Sequence, residues 1–141
     1  MATEYGADAQ ITGSLEVDGD IILGTGDDEV ILKGLTYSPE TKSGAGDDGA
    51  SLSIYLPLSI LNSSGGVLRV TLPDGVQDGQ AKKLLVTGYL RPLVVTVSSA
   101  SWQNTSQGTI TFTYPSTFVH LIWTNSAWWV VGTSPAGVAY A

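Results

Sequence analysis

Cysteine is absent from the 141 residues, so neither a disulfide nor a thiolate metal site is available, and stability has to come from packing or assembly. Histidine occurs once, at His120. A metal site with two or more histidine ligands is therefore impossible within one chain. A catalytic histidine also needs an orienting carboxylate and a nucleophile, and the residues around His120 supply neither. We read His120 as a structural residue on a strand and expect no enzymatic activity. Charged residues make up only 13% of the chain, against a usual share of roughly 25%. No apolar run reaches the roughly 18 residues that a membrane helix needs, and no window shows a helical period. The start, Met1-Ala2-Thr3-Glu4-Tyr5, has neither the basic nor the apolar region of a signal peptide. These absences lead us to expect a chain kept in the cytoplasm until it assembles, with no membrane partner.

What is present is an apolar, sparsely charged chain with 43% hydrophobic residues. Its surface must be built largely from Ser, Thr, Gly, Asn and Gln, which suits extracellular or particle-bound proteins that meet other copies of themselves. The net charge of −7 is unevenly placed. Residues 1–50 carry the acids Glu4, Asp8, Glu16, Asp18, Asp20, Asp27, Asp28, Glu29, Glu40, Asp47 and Asp48 against Lys33 and Lys42 alone. Residues 51–141 carry Asp74 and Asp78 against Arg69, Lys82, Lys83 and Arg91. An acidic first third argues against binding a phosphate backbone, which requires Lys and Arg, so nucleic acid is not an expected partner. That segment keeps the protein soluble or meets a basic surface.

Hydrophobic periodicity divides the chain into three. In residues 1–34, Ile11, Leu15, Val17, Ile21 and Leu23 sit at odd positions, and Thr12, Ser14, Glu16, Asp18 and Asp20 at even ones. This period of two marks half-buried strands. Gly13, Gly19 and the turn Gly24-Thr25-Gly26-Asp27-Asp28 break it into a short meander, an acidic β arm. A meander this thin cannot bury its own apolar face. We therefore expect Ile11, Leu15, Val17, Ile21 and Leu23 to be covered by something else. Residues 35–50, with Ser38-Pro39-Glu40 and Gly44-Ala45-Gly46-Asp47-Asp48-Gly49, read as a linker or exposed loop.

Residues 51–141 form the body. Strand patterns occur at 51–61, 67–72, 82–87, 92–98, 109–114, 117–123 and 127–133. Asn62-Ser63-Ser64-Gly65-Gly66 reads as a hairpin-type turn, and Thr124-Asn125-Ser126 as a second. Pro57 favours an edge or a bulge. Short strands at this spacing predict an all-β fold, with a β-sandwich or jelly-roll-like body preceded by the β-meander arm.

Candidate sites are few. Asp18-Gly19-Asp20, Asp27-Asp28-Glu29 and Asp47-Asp48 offer oxygen ligands, yet their spacing fits no EF-hand loop and suits solvated turns. Gly24-Thr25-Gly26 and Gly44-Ala45-Gly46 lack the Lys-Ser/Thr end of a phosphate loop. No metal or cofactor is expected. Trp102, Trp123, Trp128, Trp129 and Tyr140 offer the aromatic faces of a sugar site. However, Trp123 and Trp128 flank a tight turn, where a cross-strand aromatic pair stabilises a hairpin. Trp128 and Trp129 are adjacent and face opposite sides of a regular strand. Tryptophan is enriched in interface cores, so we place both with the arm residues as interface candidates.

Two stretches resemble virion proteins of tailed bacteriophages. Ile11-Thr12-Gly13-Ser14-Leu15-Glu16-Val17-Asp18-Gly19-Asp20-Ile21-Ile22-Leu23-Gly24 resembles the Gly-punctuated segments of fibres. Leu72-Pro73-Asp74-Gly75, Asp78-Gly79-Gln80, Val119-His120-Leu121-Ile122-Trp123 and Trp128-Trp129-Val130-Val131-Gly132 resemble a β-module shared by tail fibres and head decoration (cement) proteins. Read as a complete product from Met1, the chain is short for a fibre, so the resemblance favours a capsid decoration protein. It implies a structural protein of the virion surface: a homotrimer at junctions between major capsid proteins, stabilising the shell, with no transferable site residues. The alternatives are a receptor- or glycan-binding module of a tail fibre or spike, and a bacterial surface β-domain.

Overall fold

The structure is a computed structural model and describes residues 38–103 and 107–141. The calls on Ile11, Leu15, Val17, Ile21 and Leu23, like those on the acidic clusters before residue 38, lie outside the described residues. The contacts divide the chain between Leu35 and Thr36, and the second unit is described below.

The second unit is all-β, with no helix among the described residues. Its strands are β1 (Glu40–Ser43), β2 (Leu58–Asn62), β3 (Leu68–Leu72), β4 (Gln80–Gly88), β5 (Leu93–Ser98), β6 (Gln107–Phe112), β7 (Phe118–Thr124), β8 (Ala127–Thr133) and β9 (Val138–Tyr140). They form two mixed sheets, ordered β1-β2-β4-β7-β8 and β3-β5-β6-β9. The pairs β1–β2, β2–β4 and β3–β5 are parallel, whereas β4–β7, β7–β8, β5–β6 and β6–β9 are antiparallel.

The parallel pairs show how the chain runs. From β2 to β5 it changes sheet at every step, so β4 lies beside β2 and β5 beside β3. Glu40 pairs with Ser59 and Ser59 with Leu84 in one sheet. Ser51 pairs with Thr71 and Thr71 with Thr96 in the other. The two sheets thus advance nearly in step, and the first half of the unit is a coil of chain. The remaining strands add antiparallel neighbours to both sheets.

Two expectations are corrected by this course. The segment Asn62–Gly66 is not a hairpin turn, because β2 and β3 belong to different sheets. Its turn chemistry is real: Ser64 N–H donates to Asn62 Oδ1 at 2.8 Å. The buried Ser63, however, donates its hydroxyl to Arg91 O at 2.7 Å and its N–H to Gly88 O at 2.9 Å, fastening the bend to a later part of the coil. Residues 40–43, expected within a linker, form β1. Polarity misled there, because Glu40 and Lys42 are held by partners within the fold.

Both sheets contribute to one hydrophobic cluster. Leu61, Leu84, Val86, Val119, Leu121, Trp123 and Trp128 join it from the first sheet, and Leu68, Val70, Leu72, Leu93, Val95, Val97, Ile110 and Phe112 from the second. Alternation along the strands sets this inner face, and burying one such side chain fully contributes about 1.5–3 kcal/mol. The β7–β8 hairpin is the expected one. Trp123 and Trp128 are cross-strand partners, edge to face, with centroids 5.4 Å apart, and Trp128 Nε1 donates to Pro73 O at 2.8 Å. Asn125 and Ser126 turn the chain with φ of 51° and 57°, a conformation that suits glycine best. Gly75 packs where a Cβ would strike the Trp123 ring.

Replacing Trp128 by Ala is expected to lower the unfolding free energy by about 3–5 kcal/mol in urea titrations. Ser126→Gly, which relieves a left-handed residue, is expected to raise it by roughly 0.5–1 kcal/mol.

Candidate interaction surface

The surface is assembled from β4 outward. Along β4, Lys82, Leu84 and Val86 point to the core, and Ala81, Lys83 and Leu85 point away from it. Lys82 is wholly buried. Its ammonium has three donors, and all are used: on Glu40 Oε1 at 2.9 Å, Ser53 O at 2.7 Å and Leu56 O at 2.8 Å. Glu40 Oε1 also accepts from Ser59 Oγ at 2.6 Å and from Ser53 N–H at 2.9 Å. One ion pair therefore ties β1, β2, β4 and the 53–56 loop together. With every donor occupied and no exposed atom, Lys82 acts as a strut and not as a reactive amine.

Electrostatics follow from this burial. Burial by itself raises the Glu40 carboxyl, but hydrogen bonds from Ser59, Lys82 and the Ser53 N–H, with the Lys82 charge, outweigh it and hold the carboxyl below its ordinary 4.5. Burial pulls Lys82 below its ordinary 10.5, and Glu40 opposes this only in part.

The strut positions what lies on the other side of the sheet. By holding Ser53 O and Leu56 O it sets the approach of the chain to Pro57 and β2, and Lys83 N–H donates to Pro57 O at 2.7 Å. Lys83, next to Lys82, faces outward. The outer face of this sheet carries two apolar rows on either side of a central row that holds Lys83 and His120. One cross-strand row is Leu58, Lys83 and His120. On one side of it runs the row Ile60, Leu85 and Phe118, and on the other Ala81, Ile122 and Trp129. Phe118 is 38% exposed, Trp129 44% and Val131 58%. A groove of about 360 Å³ lies over the central row, lined by Pro57, Leu58, Ala81, Lys83 and His120. The outward positions of the second sheet contrast with this: Thr71, Thr96, Ser98, Thr109 and Thr111 bear hydroxyls, beside Arg69, Val94 and Gln107. Exposed apolar side chains grouped on one sheet face and rimmed by polar ones are the composition of a contact surface.

The expected site residues separate. Trp129 lies on this outer face, its Nε1 donating to Thr124 O at 3.0 Å. Trp128 is fully buried against Trp123 and drops out of any interface. The five aromatics do not form one sugar-binding face, since Trp102 pairs with Tyr140, centroids 5.5 Å apart, and Trp123 with Trp128. His120 is on a strand as expected, and it lines the groove. Asp47 Oδ2 accepts from Ser43 N–H at 2.7 Å, and Asp48 forms a fork with Arg69, so both acids tie down their loop. The pairing lowers the Asp48 carboxyl and raises Arg69.

Two features were missed in the sequence. Lys82 shares its parity with Leu84 and Val86, a signal that it faces the core, but no periodicity points to a partner as distant as Glu40. The parity of Leu58, Ala81, Leu85, Phe118 and Ile122 also places apolar residues on the outer face of strands whose inner face is apolar as well. No protein-family model matches the chain, and no curated protein matches it.

Lys82→Met or Glu40→Gln alone leaves a buried partner uncompensated and is expected to cost about 3–5 kcal/mol in urea titrations. Because the Glu40 carboxyl is lower in the folded state than in the unfolded one, its contribution is complete above pH 4.5 and disappears as pH falls through its depressed value. Thermal unfolding midpoints of the wild type are therefore expected to fall with acidification below pH 4.5, and those of Glu40→Gln to fall less.

Proposed function

We propose that this chain is a non-enzymatic structural protein that works by assembly, binding copies of itself and other protein subunits on the surface of a bacteriophage capsid. The observation that carries the reading is the set of apolar rows on the outer face of the five-stranded sheet, with Trp129, Phe118 and Val131 exposed to solvent. Such a face is costly to leave wet and is relieved by a protein partner. The sparse charge of the chain, with 13% charged residues, and its resemblance to virion β-modules support the same reading. No helix among the described residues is long and apolar enough to cross a membrane.

In this reading the protein is a decoration protein, a homotrimer at junctions between major capsid proteins. Two sheets sharing one core cluster support a β-sandwich body. The parallel pairs β1–β2, β2–β4 and β3–β5 fit a coiled course of chain better than a jelly roll, whose strands pair antiparallel. Exposed Trp129 also favours a second reading, a glycan- or receptor-binding module of a tail fibre.

Light scattering at micromolar concentration is expected to give three times the 14.7 kDa chain mass. Immunolabelled particles are expected to carry the protein over the whole head. A monomer, or unlabelled heads, contradicts the decoration reading, and label confined to the tail together with glycan binding lost in Trp129→Ala favours the fibre module. Removing residues 1–34 is expected to leave a folded body that no longer binds particles.

A further inference from the structure

We propose that the loop between β3 and β4 of one copy seats in the Pro57–Leu58–Ala81–Lys83–His120 groove of the next, giving the homo-oligomer a head-to-tail contact. This deepens the reading above and rests on it.

Two surfaces of the same chain carry the inference. The first is the exposed loop itself. Tyr55 and Val76 are 75% and 65% exposed, and with Gln77, Asp78, Gly79 and Gln80 they line a shallow depression. This loop is held in shape before any contact. Gln80 Oε1 accepts from Val76 N–H at 2.9 Å, and Gln80 Nε2 donates to Ile54 O at 2.6 Å, so one side chain pins both loops. Gly79 N–H donates to Trp123 O at 2.8 Å and fixes the base. A preorganised loop binds with less loss of conformational freedom. The second surface is the groove itself, apolar through Pro57, Leu58 and Ala81 and basic through Lys83.

Their charges are complementary. Asp74 and Asp78 are the only acids in residues 51–141, and both lie on the β3–β4 loop. Neither forms an ion pair among the described residues, and neither does Lys83. Placing Val76 against the apolar wall and Asp78 beside Lys83 gives each its missing partner. Loop and groove meet at the 53–57 segment, with Tyr55 beside one and Pro57 in the other. A head-to-tail contact closes into a ring when the rotation it imposes closes, and otherwise extends into a filament.

The test is a charge exchange read by sedimentation velocity on the full chain. Asp78→Lys alone and Lys83→Glu alone are each expected to weaken assembly at least tenfold with thermal unfolding of the subunit unchanged, and the double variant is expected to regain it. Single variants that assemble like the wild type overturn the contact, as does a double variant no better than the weaker single. A wild-type oligomer with indifferent single variants removes only this contact, whereas a wild-type monomer at micromolar concentration removes the oligomer reading as well.

Discussion

A charge buried in a β core has to be answered where it lies, and the ammonium of Lys82 sets that condition for the whole first half of the body. Each of its protons is taken by a different part of the chain: Glu40 on β1, and the carbonyls of Ser53 and Leu56. Glu40 in turn gathers Ser59 on β2. β1 has only four residues and sits at the edge of its sheet, where pairing alone holds a strand weakly. The ion pair makes it part of the fold. Such a pair need not add net stability over two well-packed apolar residues, but it is expensive to break once in place. Its contribution is to fix the position of β1 and of the 53–56 loop.

The outer surface depends on that arrangement. The residue after Lys82 is Lys83, and strand alternation sends it to the opposite face. The loop that Lys82 anchors delivers Pro57 and Leu58 to the same place. The groove on the outer sheet face and the strut on the inner face are thus two sides of one structure. One sheet carries apolar rows on its outer as well as its inner face, and the other is hydroxyl-rich on its outside. This asymmetry is what supports the proposed assembly role.

The sequence made some of this legible. The alternation in Leu68–Leu72, Leu93–Ser98 and Phe118–Thr124 announced strands, and the Trp123–Trp128 pair announced its hairpin, because both signals are local. The course of the chain was hidden. Asn62–Gly66 has the composition of a hairpin turn, and nothing in it tells whether the next strand stays in the sheet or crosses to the other. The parallel partners Glu40 and Ser59, or Thr71 and Thr96, lie too far apart for any short-range pattern. Polarity concealed β1, since Glu-Thr-Lys-Ser looks like loop until Lys82 is known to need an acid. The ninth strand, Val138–Tyr140, is too short to register as a pattern. Of the interface candidates, Trp129 and Trp128 were separable by parity in principle, and the Trp123 pairing decides which of them is core.

The Lys82–Glu40 pair holds β1 and its loop in register, as opposed to merely adding stability. Amide hydrogen exchange in the double variant Glu40→Leu/Lys82→Met tests it most directly, because the apolar replacement removes the strut without leaving a buried charge. Amides of Glu40–Ser43 and of the 52–56 loop are expected to lose protection, while those of the β7–β8 hairpin keep theirs. Unchanged protection in β1 would contradict it.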